Sequence, residues 1–441
     1  MTMNSCKLIH TGIGHEKHKS TKGRMEITCI VSFALFVLCV SLPSTANAQY
    51  VCPPGKTLRE LAEARGFHIG ANFPNLYGYW CEEGKSGSRR FDPEAAIAKD
   101  NFTIMNAGWE VFPGHTWEGE GQYDFDGTDH YIKWCEQNGI RFHGHGIGYV
   151  FRAGWPFKDL PVETEAEKAR VREIYEQYVR DTVSHFKGRV HMWDVCNEHL
   201  YPPYQSGGWL MWNAEDGARS YWRAYDMDPR DAAGGYDWYA KTLTIAHEVD
   251  PDAKLVLLDF NNEIVCPKSD TMYALAKTLL AKGLPLHGIG FQMHINTQCN
   301  REKWKNGPER RKQHDLSDDE YFDSMRKNIK RFTDLGLDVW ITELSVDLDP
   351  DKPHDEELKR QAEVYRRVLE VGLENPGFKG IKLWGVVDDM DWQADKPFHP
   401  YLFDAEGRAK PAFFAVQDTL ENYWPETTPK KEKSDATKKN Q

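Results

Sequence analysis

The sequence predicts one (β/α)8 barrel, and three observations lead there. Eight short apolar runs alternate with eight longer stretches of helical pattern, as expected for strands each followed by a helix. Two of the runs, 190–198 and 338–343, finish on a glutamate, where folds of this kind carry their chemistry. No Gly-rich phosphate loop follows the first run, which weakens the alternative of an open doubly wound sheet.

The elements follow in order. Residues 1–48 read as a leader: Lys17, Lys19, Lys22 and Arg24 precede an apolar run at 27–42, and Ala46-Asn47-Ala48 supplies a small-x-small cleavage site. The run is shorter than the ~20 residues a spanning helix needs, so the expectation is export, cleavage near Gln49 and no membrane attachment afterwards. Strand 67–71 precedes a helix at 92–99, opened by Asp92 as N-cap and Pro93 at the first helical position. Strand 102–105 precedes helix 127–138. Strand 140–144 precedes helix 165–187, whose Thr164-x-x-Glu167 is a capping box. Strand 190–198 is followed by a long segment, 199–237, rich in Tyr, Trp and Gly, before helix 238–249; loops that long usually serve function. Strand 254–260 and helix 268–281 come next, then strand 287–293 and helix 317–335, with a second capping box at Ser317-x-x-Glu320. Strand 338–343, helix 355–374, strand 380–386 and helix 411–422 complete the set. The domain expected is 49–424, and the charged tail 425–441 has no apolar period and reads as disordered.

Composition narrows the function. A formal charge of −12 with no basic stripe argues against a nucleic-acid partner. Fifteen tryptophans exceed what packing alone asks for, and indole faces hold sugar rings. Beyond the leader six cysteines remain: Cys52, Cys81, Cys135, Cys196, Cys266 and Cys299. Export would let them pair, in an order spacing does not fix, whereas Cys135 and Cys196 sit in apolar runs and read as free buried thiols. Nothing has metal-site spacing, so neither metal nor cofactor is expected.

The chemistry rests on two stretches. Val190-His191-Met192-Trp193-Asp194-Val195-Cys196-Asn197-Glu198 is a buried-strand pattern ending in an amide and a carboxylate, cut off by Pro202-Pro203. Asp338-Val339-Trp340-Ile341-Thr342-Glu343-Leu344 likewise delivers a carboxylate. Two carboxylates at strand ends are the minimum set for cleaving a glycosidic bond.

With these motifs in place the chain resembles glycoside hydrolase family 10, the endo-1,4-β-xylanase family, over nearly all of 56–424. Trp193 to Glu198 is similar to the family's acid/base strand, and Ile341-Thr342-Glu343-Leu344 to its nucleophile strand. Gln292-Met293-His294, Trp384-Gly385-Val386 with Trp392, Asp259-Phe260-Asn261, Pro400 to Asp404 and Lys410-Pro411-Ala412 match in order. His143-Gly144-His145 stands where the family reads Arg-Gly-His. The resemblance implies retaining hydrolysis of a polysaccharide, with Glu198 as acid/base and Glu343 as nucleophile. It also implies that Asn197, His145, Gln292, His294, Trp384 and Trp392 contact the sugar or orient the nucleophile. A secreted, monomeric xylanase without cofactor is the resulting expectation, with a polysaccharide as its partner. The departures lie beside the centre. The family's Glu, Asn and Lys after strand 2 fall on Gly108, Trp109 and Phe112, its strand-3 Trp and Gln on Tyr149 and Arg152, and an Asp beyond the nucleophile on Ser345. A retaining glycosidase on a decorated or differently linked β-glycan, and an inactive carbohydrate-binding barrel, therefore stay open.

Overall fold

A computed structural model describes residues 50–73, 91–108, 111–148, 160–200, 224–226, 236–299, 315–388 and 398–425. Among them, eight strands close into a barrel: β1 His68–Asn72, β2 Ile104–Asn106, β3 Arg141–Gly144, β4 Val190–Asn197, β5 Lys254–Phe260, β6 Gly288–Asn296, β7 Asp338–Asp347 and β8 Phe378–Leu383. Each is parallel to its neighbours in sequence order, and β8 pairs with β1 to complete the ring. Helices alternate with the strands, so the predicted (β/α)8 barrel is the fold observed.

All eight predicted runs contain a strand. The ends differ where polar residues hide the continuation: β6 and β7 stay paired from Gly288↔Asp338 to Asn296↔Asp347, past His294 and Ser345. Strand 102–105 shortens to Ile104–Asn106, because the Phe102 amide still bonds to Ala98 of the preceding helix. Both predicted capping boxes form, at Thr164 with Glu167 and at Ser317 with Glu320. The helix expected at 92–99 spans Phe91–Asn101, so Asp92 lies in its first turn rather than ahead of it as a cap. A further helix, Leu58–Arg65, precedes the barrel; its capping box of Thr57 and Glu60 is a sequence signal of the same kind. A small antiparallel ribbon, Trp117–Gly119 with Gln122–Tyr123, turns at Gly121, whose φ of 69° suits a residue without a side chain.

Packing divides into two regions. The main apolar core joins strands to the surrounding helices. A separate cluster of Ile104, Met192, Val256 and Trp340 comes from β2, β4, β5 and β7. Four strands spread round a ring meet only across its interior, so this cluster fills the barrel. Gly380 makes room for it, since a Cβ there would lie 2.9 Å from the Trp340 ring. Cys135, Cys196 and Cys266 are buried free thiols, Cys299 is buried, and Cys52 is exposed and also free. Cys81, like the leader and the tail, lies outside the described residues.

Candidate active site

The site forms where β3, β4, β6 and β7 end. Asp194 and Asn197 on β4 both turn inward although strict alternation would send them to opposite faces. A register shift against β5 between Asp194 and Cys196 reconciles them. The β6–β7 ladder shifts in the same way, from Phe291↔Ile341 to Gln292↔Glu343, which brings Glu343 inward three residues after Trp340. Each glutamate-bearing strand thus carries an irregularity just before its functional end.

Glu198 follows the last residue of β4 with φ 54°, a left-handed conformation costly for a residue with a side chain. Its amide is held by Leu258 O at 3.2 Å, and the Asn197 amide by Gly148 O at 2.8 Å. The Asn197 side-chain oxygen accepts from Gln292 Nε2 at 2.6 Å. Gln292 is also the register partner of Glu343, so one amide links the two glutamate-bearing strands. Asp259 takes Leu200 N at 2.8 Å and Lys268 Nζ at 2.5 Å, fixing the chain just past Glu198.

Glu343 is 3% exposed. Its Oε2 lies 3.1 Å from His294 Nε2, and its Oε1 lies 3.7 Å from His145 Nε2. His294 Nδ1 is 2.9 Å from Ser345 Oγ. The chemistry of the donors assigns the tautomer: the serine hydroxyl donates to Nδ1, and Nε2–H donates to the carboxylate. Behind this layer, His145 Nδ1 and His143 Nε2 each donate to Asp194 at 2.6 Å. Burial pushes the Asp194 carboxyl up, but the two histidines outweigh it and hold it well below the ordinary range. Burial pushes His143 down to about 4, Asp194 opposing and Lys382 adding to it. Lys382 Nζ donates to Asn106 Oδ1 at 2.6 Å, and burial pushes its ammonium down to about 8.

Trp384 caps the group, 8% exposed, with ring centroids 5.3 Å from His145 and 6.3 Å from His294. Its carbonyl accepts from Asn72 Nδ2 at 3.4 Å. Of the residues the sequence pointed to, the structure gathers Asn197, Glu198, Gln292, His294, Glu343, His145 and Trp384. Trp109, Tyr149, Arg152 and Trp392 lie outside the described residues. At the departures after β2, Gly108 has φ 65° and the Phe112 ring lies 5.0 Å from His145. Sequence reasoning passed over Asp194, His143 and Lys382. The available signal was an acid inside Trp193-Asp194-Val195 and a lysine inside Ile381-Lys382-Leu383, charges that an apolar strand admits only for a reason. Among the described residues, no group of three His, Cys, Asp or Glu is placed to hold a metal ion.

The profile of "Glycosyl hydrolase family 10" matches residues 68–419, from the first residue of β1 into the last helix. The chain belongs to this family. It is therefore a glycoside hydrolase, built on the barrel the family shares. "Endo-1,4-beta-xylanase B" of Thermotoga neapolitana is 30% identical over 397 residues, covering 88% of this chain and 97% of that protein. The crystal structure of native xylanase 10B from Thermotoga maritima superposes with a TM-score of 0.67 at 29% identity, covering 83% of this chain and 98% of the other. Xylanase 10B from Thermotoga petrophila RKU-1, solved in complex with xylobiose, gives 0.67 and 29%, covering 84% and 98%.

Proposed function

We propose that the protein is an exported endo-1,4-β-xylanase that cleaves its polysaccharide with retention of anomeric configuration. The observation that carries this reading is the pair of strand ends joined through Gln292: Asn197–Glu198 on one side and Glu343, bonded to His294, on the other. The Thermotoga relatives, one an endo-1,4-beta-xylanase and one a xylanase solved with xylobiose, supply the substrate class.

Glu198 protonates the departing oxygen while Glu343 attacks the anomeric carbon, forming a glycosyl-enzyme ester. Glu198 then draws a proton from water, which attacks that carbon and releases Glu343. Asn197 hydrogen-bonds the sugar 2-hydroxyl as the ring flattens. The N–H of His294 fixes the attacking carboxylate. No second protein molecule enters this scheme, so a monomer suffices. Glu343→Ala removes turnover on every substrate. Glu198→Ala costs far more on xylan than on an activated aryl xylobioside, whose leaving group needs little protonation. Equal losses on both, or an inverted product by NMR, overturn the mechanism. Export is checked separately, by amino-terminal sequencing of secreted protein; material retaining 27–42 refutes it.

The rebuilt stretch after β2 favours a second reading, preference for a decorated or differently linked xylan. Phe112 is buried against His145 where the family places a lysine. Trp109→Asn with Phe112→Lys tests it, leaving Gly108 alone because its φ of 65° would strain a glutamate. An unchanged ratio of activities on plain and substituted xylan refutes the preference.

A further inference from the structure

We infer that Lys382 is a positioning residue for Glu343, its buried ammonium keeping Asp194 and Glu343 ionised together inside one barrel. The inference rests on Glu343 being the nucleophile. Lys382 is on β8, opposite Gly70 of β1, and is 2% exposed. Its Nζ reaches past β1 to the side-chain oxygen of Asn106, the last residue of β2, at 2.6 Å. Asn106 is itself fully buried.

The other buried lysines among the described residues have carboxylates of their own: Lys268 lies 2.5 Å from Asp259 and Lys410 lies 3.0 Å from Asp388. Lys382 bonds to a neutral amide instead, and its charge acts on Asp194 of β4 and Glu343 of β7. The other titratable groups facing these two are His143 and His145 from β3 and His294 from β6, with Glu198 next along β4. At this end of the barrel β1 contributes only the uncharged Asn72. His145 bridges the two carboxylates, 2.6 Å from Asp194 and 3.7 Å from Glu343, and Lys382 supplies a charge there that does not depend on an imidazole. Two carboxylates sharing a buried site hold their charges less readily once a nearby cation is removed. Asp194 holds two histidine donors, so Glu343 is the one that takes the proton, and a protonated Glu343 does not attack.

The experiment is the pH dependence of kcat/KM on an aryl xylobioside, whose acid limb follows ionisation of the free enzyme. Lys382→Met is expected to move that limb upward by about one pH unit or more, and Lys382→Arg to bring it back. The thermal midpoint of the Met variant at pH 6 stays at or above the parent's, since a buried charge has been removed. If methionine prevents folding, Lys382→Gln, which keeps a donor towards Asn106 without the charge, reads the same limb. A neutral variant whose activity falls equally at all pH values, with the limb unmoved, overturns the inference and leaves a packing role. Glu343→Ala runs alongside. Activity there refutes the nucleophile assignment itself, whereas an inactive Glu343→Ala with an unmoved limb in the Lys382 variants refutes only the role of Lys382.

Discussion

The two ends of the barrel use histidine in opposite ways. At the carboxyl end His143, His145 and His294 are bound to carboxylates: the first two to Asp194, the third to Glu343. At the amino end His68 stacks on Trp340 with centroids 5.3 Å apart and lies 5.4 Å from His191. Among the described residues no carboxylate bonds to either ring there, and His68 Nδ1 is 3.3 Å from Thr103 Oγ1. Burial, with Arg141 adding to it, pushes both down to about 4. The lower pair therefore packs as neutral aromatic surface, while the upper three orient charge. What a histidine does here is decided by whether the neighbouring strand delivers an acid beside it.

The sharpest way to break this contrast is to injure one end and measure the other. Glu343→Ala should abolish turnover yet leave the thermal midpoint close to the parent's. Trp340→Ala empties the interior cluster and should cost about 3–5 kcal/mol of stability, with activity per folded molecule retained. Equal stability losses at both ends would dissolve the distinction.

Next comes pH. His68 and His191 have folded values depressed below the unfolded one, so they stabilise above pH ~6.5, and that contribution is lost as pH falls towards about 4. Each ring contributes at most about 3 kcal/mol over that window. Unfolding midpoints measured from pH 7 to 4 should fall, and His68→Gln with His191→Gln should flatten the decline. Lys382 works at the other extreme. Its folded value of about 8 lies below the ordinary lysine, so its burial costs stability at neutral pH and the cost lifts as pH rises from 8 towards 10.5. The difference between parent and Lys382→Met should shrink by up to about 3 kcal/mol across that window. The smallest effect belongs to Ser345→Ala, which removes one hydrogen bond to His294, worth about 0.5–1.5 kcal/mol, and should lower kcat/KM without moving the thermal midpoint.

These residues also mark how far the sequence could be read. β5 was legible end to end, because its centre, Leu255–Leu258, is a continuous apolar run buried on both faces. Glu198 and Glu343 were legible as carboxylates closing such runs. The irregularities that turn Asn197 and Glu343 inward were not, since a register shift belongs to a pair of strands and leaves no mark on either alone. Ser345 looked like a lost acid. In the fold it is the hydroxyl that sets the His294 tautomer, a role visible only once β6 lies beside β7. Lys382 meets Asn106 only because β8 closes on β1, so its meaning arrives with the last strand of the ring.

The buried cysteines bear on how the enzyme tolerates oxidants. Burial pushes Cys135 and Cys196 far above the ordinary thiol range, and Cys299 up to about 11. Almost none of each is thiolate at neutral pH, and the thiolate is the form that reacts with oxidants and attacks disulfides. Among the described residues no bridge holds the barrel together. These buried thiols are therefore slow to react, and brief exposure of the folded enzyme to a mild oxidant should leave its thermal midpoint and activity unchanged.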